Sequence, residues 1–139
     1  MHISALVKNA RGSHSVVVAT GDSRKSLAVP CRDSGFGSSI NGGELLMLAL
    51  ATCYCNDLYR EAARLGIVID SVEVSARGEF EGVGLAARNI TYHAQVVSSA
   101  SDMDVARLLR ETDAVAEIHN TLRSGVPVKL EPWAAGRGD

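Results

Sequence analysis

The stretch from Asn41 to Gly66 constrains this chain most. It reads GGELLMLALATCYCNDLYREAARL between those two residues, with no proline anywhere and no charged residue from Leu45 to Cys55. Asn41 is a good N-cap type and Gly66 a good left-handed C-cap, so the segment is expected to form one helix of about six turns. Leu45 to Cys55 is apolar on every face, whereas Asp57, Arg60, Glu61 and Arg64 make the second half amphipathic. A helix that is apolar all round must be covered all round. A chain of 139 residues has limited protein to do that, so a partner subunit related by a two-fold axis is expected. The alternative is that one sheet and the C-terminal helices suffice.

Strands and shorter helices are expected on either side. Ile3, Ala5 and Val7 alternate with polar residues, Ser15 to Ala19 is β-branched, and Arg11-Gly12-Ser13 and Gly21-Asp22-Ser23 supply turns. From Cys31 to Gly43 the sequence is dense in Gly, Ser and Asn and reads as an irregular loop feeding the helix. After it, Val72, Val74 and Ala76 alternate with polar residues, as do Ile90, Tyr92, Ala94 and Val96, which predicts an antiparallel pair with one wet face. Ser101 and Asp104 resemble a capping pair. Asp113 is expected to cap a further helix ending before Gly125, and VPVKL, with Pro127, reads as an edge strand. The order is strands, long helix, two strands, helices and a strand, which is α+β and not a repeated βαβ, within a single domain over 1–139.

Several function classes are disfavoured. A net charge of −2 gives no phosphate-neutralising surface, so no nucleic-acid partner is expected. The start lacks a secretory pattern and the apolar helical stretch is too short to span a bilayer, so the expectation is a soluble cytoplasmic protein with no membrane partner. The three cysteines, Cys31, Cys53 and Cys55, argue against a disulfide framework and leave thiol chemistry or core packing. The four histidines show no ligand spacing, Cys53-Tyr54-Cys55 is not a CxxC pair, and no phosphate loop is present. No metal and no cofactor are therefore expected.

The segment Gly42 to Ala62 with its Gly/Ser loop resembles the OsmC/Ohr family, in which a reactive cysteine sits in the middle of a long buried helix. The order of turn, strands, loop, helix, strands and helical region resembles that family along nearly the whole chain. The resemblance implies an antiparallel sheet packed on a long central helix with C-terminal helices, in an intertwined homodimer. It also implies reduction of hydroperoxides by a cysteine aided by an arginine, a glutamate and a second, resolving cysteine.

Residue by residue, the resemblance makes Cys53 the nucleophile, since a thiolate is what peroxide reduction requires. Cys53 lies roughly three turns into the helix, too far for the terminal dipole to lower its pKa much, so a cation must do so. Burial alone would raise the pKa and leave the thiol inert. Arg11 matches the family's arginine, with Arg32 the other candidate. Glu44 stands nine residues before Cys53, where peroxidase members have their glutamate at ten. One residue is about 100° on a helix, so Glu44 is not taken as catalytic and serves the helix N-terminus. The second family cysteine corresponds to Thr112 or Asp113, and no cysteine follows Cys55. Cys55 points roughly 200° away from Cys53, outside disulfide geometry, which leaves Cys31 as a substitute resolving thiol.

Two functions follow from these residues. One is a thiol-dependent reductase of hydroperoxides in oxidative-stress defence, using Cys53, Arg11 and either Cys31 or an external thiol reductant. The other is a non-catalytic dimer that binds a small apolar molecule beside the helix, with Cys53 kept for packing. Peroxide preference and electron donor are not encoded in any motif present.

Overall fold

The computed structural model describes residues 1–133. The chain forms two compact units, Met1–Leu48 and the remainder from Ala49 onward. In the first unit, β1 (Ile3–Ala10), β2 (Ser13–Thr20) and β3 (Ser23–Leu27) make an antiparallel sheet in sequence order. Ala10 pairs with Ser13 and Thr20 with Ser23, so each hairpin turns on two residues. Gly12 (φ 71°) and Gly21 (φ 55°) take the left-handed conformation that such tight turns demand. Val16 and Val29 are buried, whereas Ile3 and Val7 on β1 are 64% and 56% exposed.

The loop between β3 and the helix folds back on itself. Cys31 bridges Ser38, the Ser39 amide donates to the Pro30 carbonyl at 2.9 Å, and the Arg32 amide donates to the Gly37 carbonyl at 3.2 Å. Asn9 clamps the β1–β2 turn to this loop: its Oδ1 accepts from the Gly37 amide at 3.0 Å and its Nδ2 donates to the Gly37 carbonyl at 3.3 Å.

Helix α1 (Gly42–Leu65) then begins. Asn41 Oδ1 accepts from the Glu44 amide at 2.9 Å, and the Asn41 amide donates to Glu44 Oε2 at 2.7 Å, so two otherwise unpaired helix amides are met reciprocally. The helix ends where Gly66 turns left-handed, φ 69°, as expected from its sequence.

In the second unit, β4 (Ser71–Glu79) pairs antiparallel with β5 (Arg88–Val97), with Val72 opposite Val96 and Val74 opposite Ala94. The predicted alternation is present: Val72, Val74, Tyr92, Ala94 and Val96 face the core and their neighbours face water. Helix α2 (Asp102–Val115) is capped by Ser101, whose hydroxyl accepts from the Asp104 amide at 3.1 Å. Helix α3 (Glu117–Ser124) closes at Gly125, φ 62°. Tyr54, Leu58 and Ala62 of α1 pack with Leu108 of α2 and Ala116 to form the core beneath the β4–β5 sheet. Leu58 and Leu108 are fully buried, and truncating either to alanine is expected to cost about 2–5 kcal/mol.

Two sequence expectations are corrected. Asp113 does not open a helix: α2 runs through it to Val115, Ala116 caps α3 without a side-chain bond, and the Asp113 carboxylate pairs with Tyr92 and Arg123 instead. VPVKL is not a strand; 126–133 has no regular structure, with Val128 and Leu130 fully exposed. Its apolar residues Val126, Val128 and Leu130 are exposed and bury no face that would hold it against a sheet.

Candidate functional site

The central position of α1 sets the site. Cys53 is partly exposed, and one turn further along lies Asp57, 5% exposed. Residues at i and i+4 share a helix face, and the Cys53 thiol donates to Asp57 Oδ2 at 3.3 Å. Arg60, a further turn along, places Nη1 2.7 Å from Asp57 Oδ1 and 3.5 Å from Glu117 Oε1 at the start of α3, while its Nε donates to Glu61 at 3.3 Å. Ligand-type atoms of Cys53, Asp57 and Glu117 all lie within 4.8 Å of one another.

This charge arrangement governs the thiol. Burial pushes Cys53 above its ordinary value, the Ile118 backbone amide offsets part of that, and Asp57 and Glu117 push it up again. Burial likewise raises the Asp57 carboxyl, with Cys53 and Arg60 pulling it down and Glu117 raising it. Arg60 pairs with both carboxylates of this group, Asp57 and Glu117, and does not contribute to the Cys53 shift. Cys53 and two carboxylates form a donor set of the kind that binds a cation, yet Arg60 already supplies a positive charge there. The spacing of histidines and cysteines in the sequence does not reveal this grouping of Cys53, Asp57 and Glu117, because Glu117 is brought in by the packing of α3.

Arg11, Arg32, Glu44 and Cys31 lie in the first unit. Arg11 sits in the β1–β2 turn with its guanidinium 5.5 Å over the Phe36 ring, a cation–π contact. Arg32 Nε donates to the Ser38 carbonyl at 3.2 Å. Glu44 is committed to the helix cap. Cys31, Cys53 and Cys55 are all free thiols. Of the positions matching the second family cysteine, Thr112 is fully buried with no hydrogen-bond partner for its hydroxyl among the described residues, and Asp113 is held by Tyr92 and Arg123.

Beside Cys53 on α1, Tyr54 opens a second group. Its hydroxyl donates to the Leu109 carbonyl at 2.7 Å, and its ring meets Tyr92 edge-on at a centroid distance of 4.8 Å. His119 of α3 stacks obliquely on both, 5.7 Å from Tyr54 and 4.3 Å from Tyr92. The Tyr92 hydroxyl donates to Asp113, which Arg123 holds at 2.6 Å. Burial, then the adjoining Asp113, pushes the Tyr92 phenol up to about 12. Burial and the Arg123 charge hold His119 below its usual value. None of these roles was legible in sequence: Tyr92 reads as a strand residue, His119 as an isolated histidine.

Residues 35–131 match the model of the family described as OsmC-like protein. Among solved structures, the fold is similar to an OsmC-like protein from Mycoplasma pneumoniae, with 17% identity, a TM-score of 0.63 and coverage of 88% of this chain and 86% of that one. It is also similar to an organic hydroperoxide resistance protein OsmC from Legionella pneumophila (20% identity, TM-score 0.60, 93% and 94% covered). A third is the organic hydroperoxide resistance protein OhrB of Bacillus subtilis (17% identity, TM-score 0.52, 94% and 97% covered). No curated protein matches the chain. At these identities the solved structures establish the α+β fold and leave the chemistry to the residues present.

Proposed function

Because this chain belongs to the OsmC-like protein family, whose model covers residues 35–131, we propose that it is a thiol-dependent reductase of hydroperoxides in oxidative-stress defence. Cys53 is its nucleophile. The observation that carries this reading is the hydrogen bond from a partly exposed Cys53 thiol to Asp57 at 3.3 Å, since it gives the sulfur a proton acceptor already in contact. The names of the Legionella and Bacillus structural relatives, both organic hydroperoxide resistance proteins, support the substrate class.

The chemistry proceeds in two stages. Asp57 takes the thiol proton, and the thiolate attacks the terminal oxygen of R–O–OH. The O–O bond breaks, the sulfur becomes Cys53–SOH, and the departing alkoxide takes the proton from Asp57 to leave as ROH. A thiol then attacks the sulfenic sulfur, releasing water and forming a mixed disulfide, and a second thiol frees Cys53 as the reductant leaves as its disulfide. That route uses an external dithiol for both thiols; where Cys31 attacks first, the product is a Cys31–Cys53 disulfide, and both thiols of an external dithiol are then needed to return the two cysteines to their reduced state as the reductant leaves as its disulfide. Arg11 is assigned the cation that favours the thiolate and orients the peroxide, with Arg32 as its alternative. The subunits act as a homodimer in the cytoplasm. Exposure of Ile3, Val7 and Leu48, between 55% and 64%, supports a covering partner.

The raised pKa of Cys53 favours a second reading, a non-catalytic dimer that binds a small apolar ligand. Trapping the sulfenic acid separates the two. After exposure to an organic hydroperoxide, Cys53 should be labelled by dimedone in the intact protein by mass spectrometry. A thiol that stays unmodified at millimolar peroxide supports the second reading.

A further inference from the structure

A cavity of about 230 Å³ opens in the second unit, lined by Leu50, Ile90, Tyr92, His119, Leu122 and Arg123. An apolar cavity of about 150 Å³ holds benzene, so this one has room for a single ring with a small substituent. His119 is the unusual part of its wall. It is only 4% exposed, and neither ring nitrogen has a hydrogen-bond partner among the described residues. Buried polar atoms in folded proteins are paired in the great majority of cases. The neighbouring hydroxyls are already committed, Tyr54 to the Leu109 carbonyl and Tyr92 to Asp113.

We propose that this cavity is a binding site for a neutral, one-ring molecule bearing a hydroxyl, which His119 recognises. A neutral imidazole offers one donor and one acceptor, and a hydroxyl answers either or both. Its nitrogens are closed off from solvent, so recognition of a ligand hydroxyl requires the ring to turn about its soft χ2 torsion. A carboxylate is disfavoured. Arg123, the cation of the wall, gives Nη2 to Asp113 Oδ1 at 2.6 Å and Nη1 to Asn120 Oδ1 at 3.1 Å, so its charge is already met. Leu50, Ile90 and Leu122 supply the apolar surface for the ring. The site stands apart from the peroxide reading, since Cys53 does not line the cavity.

Calorimetric titration with phenol, toluene and benzoate tests it. Phenol is expected to bind saturably and at least roughly tenfold more tightly than toluene or benzoate, the scale set by one buried hydrogen bond. His119→Phe should bring phenol down to the affinity of toluene, and Cys53→Ser should bind phenol as the parent does. Should His119→Phe fail to give a native near-ultraviolet circular dichroism spectrum, Leu122→Trp fills the cavity and should abolish phenol binding. Absence of saturable phenol binding, phenol no tighter than toluene, or phenol binding that survives either folded variant overturns the proposal.

Discussion

The Cys53 thiol donates a hydrogen bond to the carboxylate of Asp57, one helical turn along α1 and 3.3 Å away. The pairing both restrains and arms the sulfur. An adjacent acid raises the thiol's pKa, yet it supplies the acceptor through which the proton leaves. Replacing Asp57 with Asn should separate these effects. Burial, the larger cause, remains, so the Cys53 pKa falls without reaching its ordinary value. Alkylation by iodoacetamide near neutral pH should speed up severalfold, while peroxide reduction slows because the alkoxide loses its proton donor. Both rates follow from stopped-flow and mass-spectrometric time courses on the two proteins.

Glu44 is expected to matter for stability and not for turnover. Its carboxylate accepts from the Asn41 amide at 2.7 Å, and losing such a cap costs about 1 kcal/mol. Glu44→Ala should lower the urea midpoint accordingly and leave the rate of peroxide consumption unchanged.

His119 gives stability a signature in pH. Its folded pKa lies below 6.5 because burial disfavours the charged ring. The unfolded chain therefore binds the extra proton first as pH falls. The contribution is full above 6.5 and is lost as pH drops from there through the folded pKa. Urea melts across that window should show a steeper loss in the parent than in His119→Phe.

Assembly is read from Ile3 and Val7, side chains of β1 that stand more than half exposed in a single chain. Sedimentation equilibrium at micromolar concentration should give a dimer. Val7→Asp should shift the population toward monomer, since it puts a charge into an apolar contact.

Much of the fold was legible in sequence. Asn41, Gly66 and the unbroken apolar run set α1, and period-2 alternation set β4 and β5, because these signals depend on residues close in the chain. Asp113 was misread as a cap because a tertiary pairing with Tyr92 and Arg123 outweighed its local preference. VPVKL was misread because β-branched content alone does not supply a sheet edge. In the site, Cys53 stood out and Asp57 was available at four residues' spacing. The approach of Glu117 and the burial of His119 depend on how α3 packs, and no local pattern encodes that.

Turnover bears most directly on the central claim. Consumption of an organic hydroperoxide, beside hydrogen peroxide, is measured with a dithiol reductant for the parent and for Cys53→Ser. The account predicts catalytic turnover in the parent that disappears in the variant. Equal rates in both proteins, or no turnover by a folded parent, would contradict it.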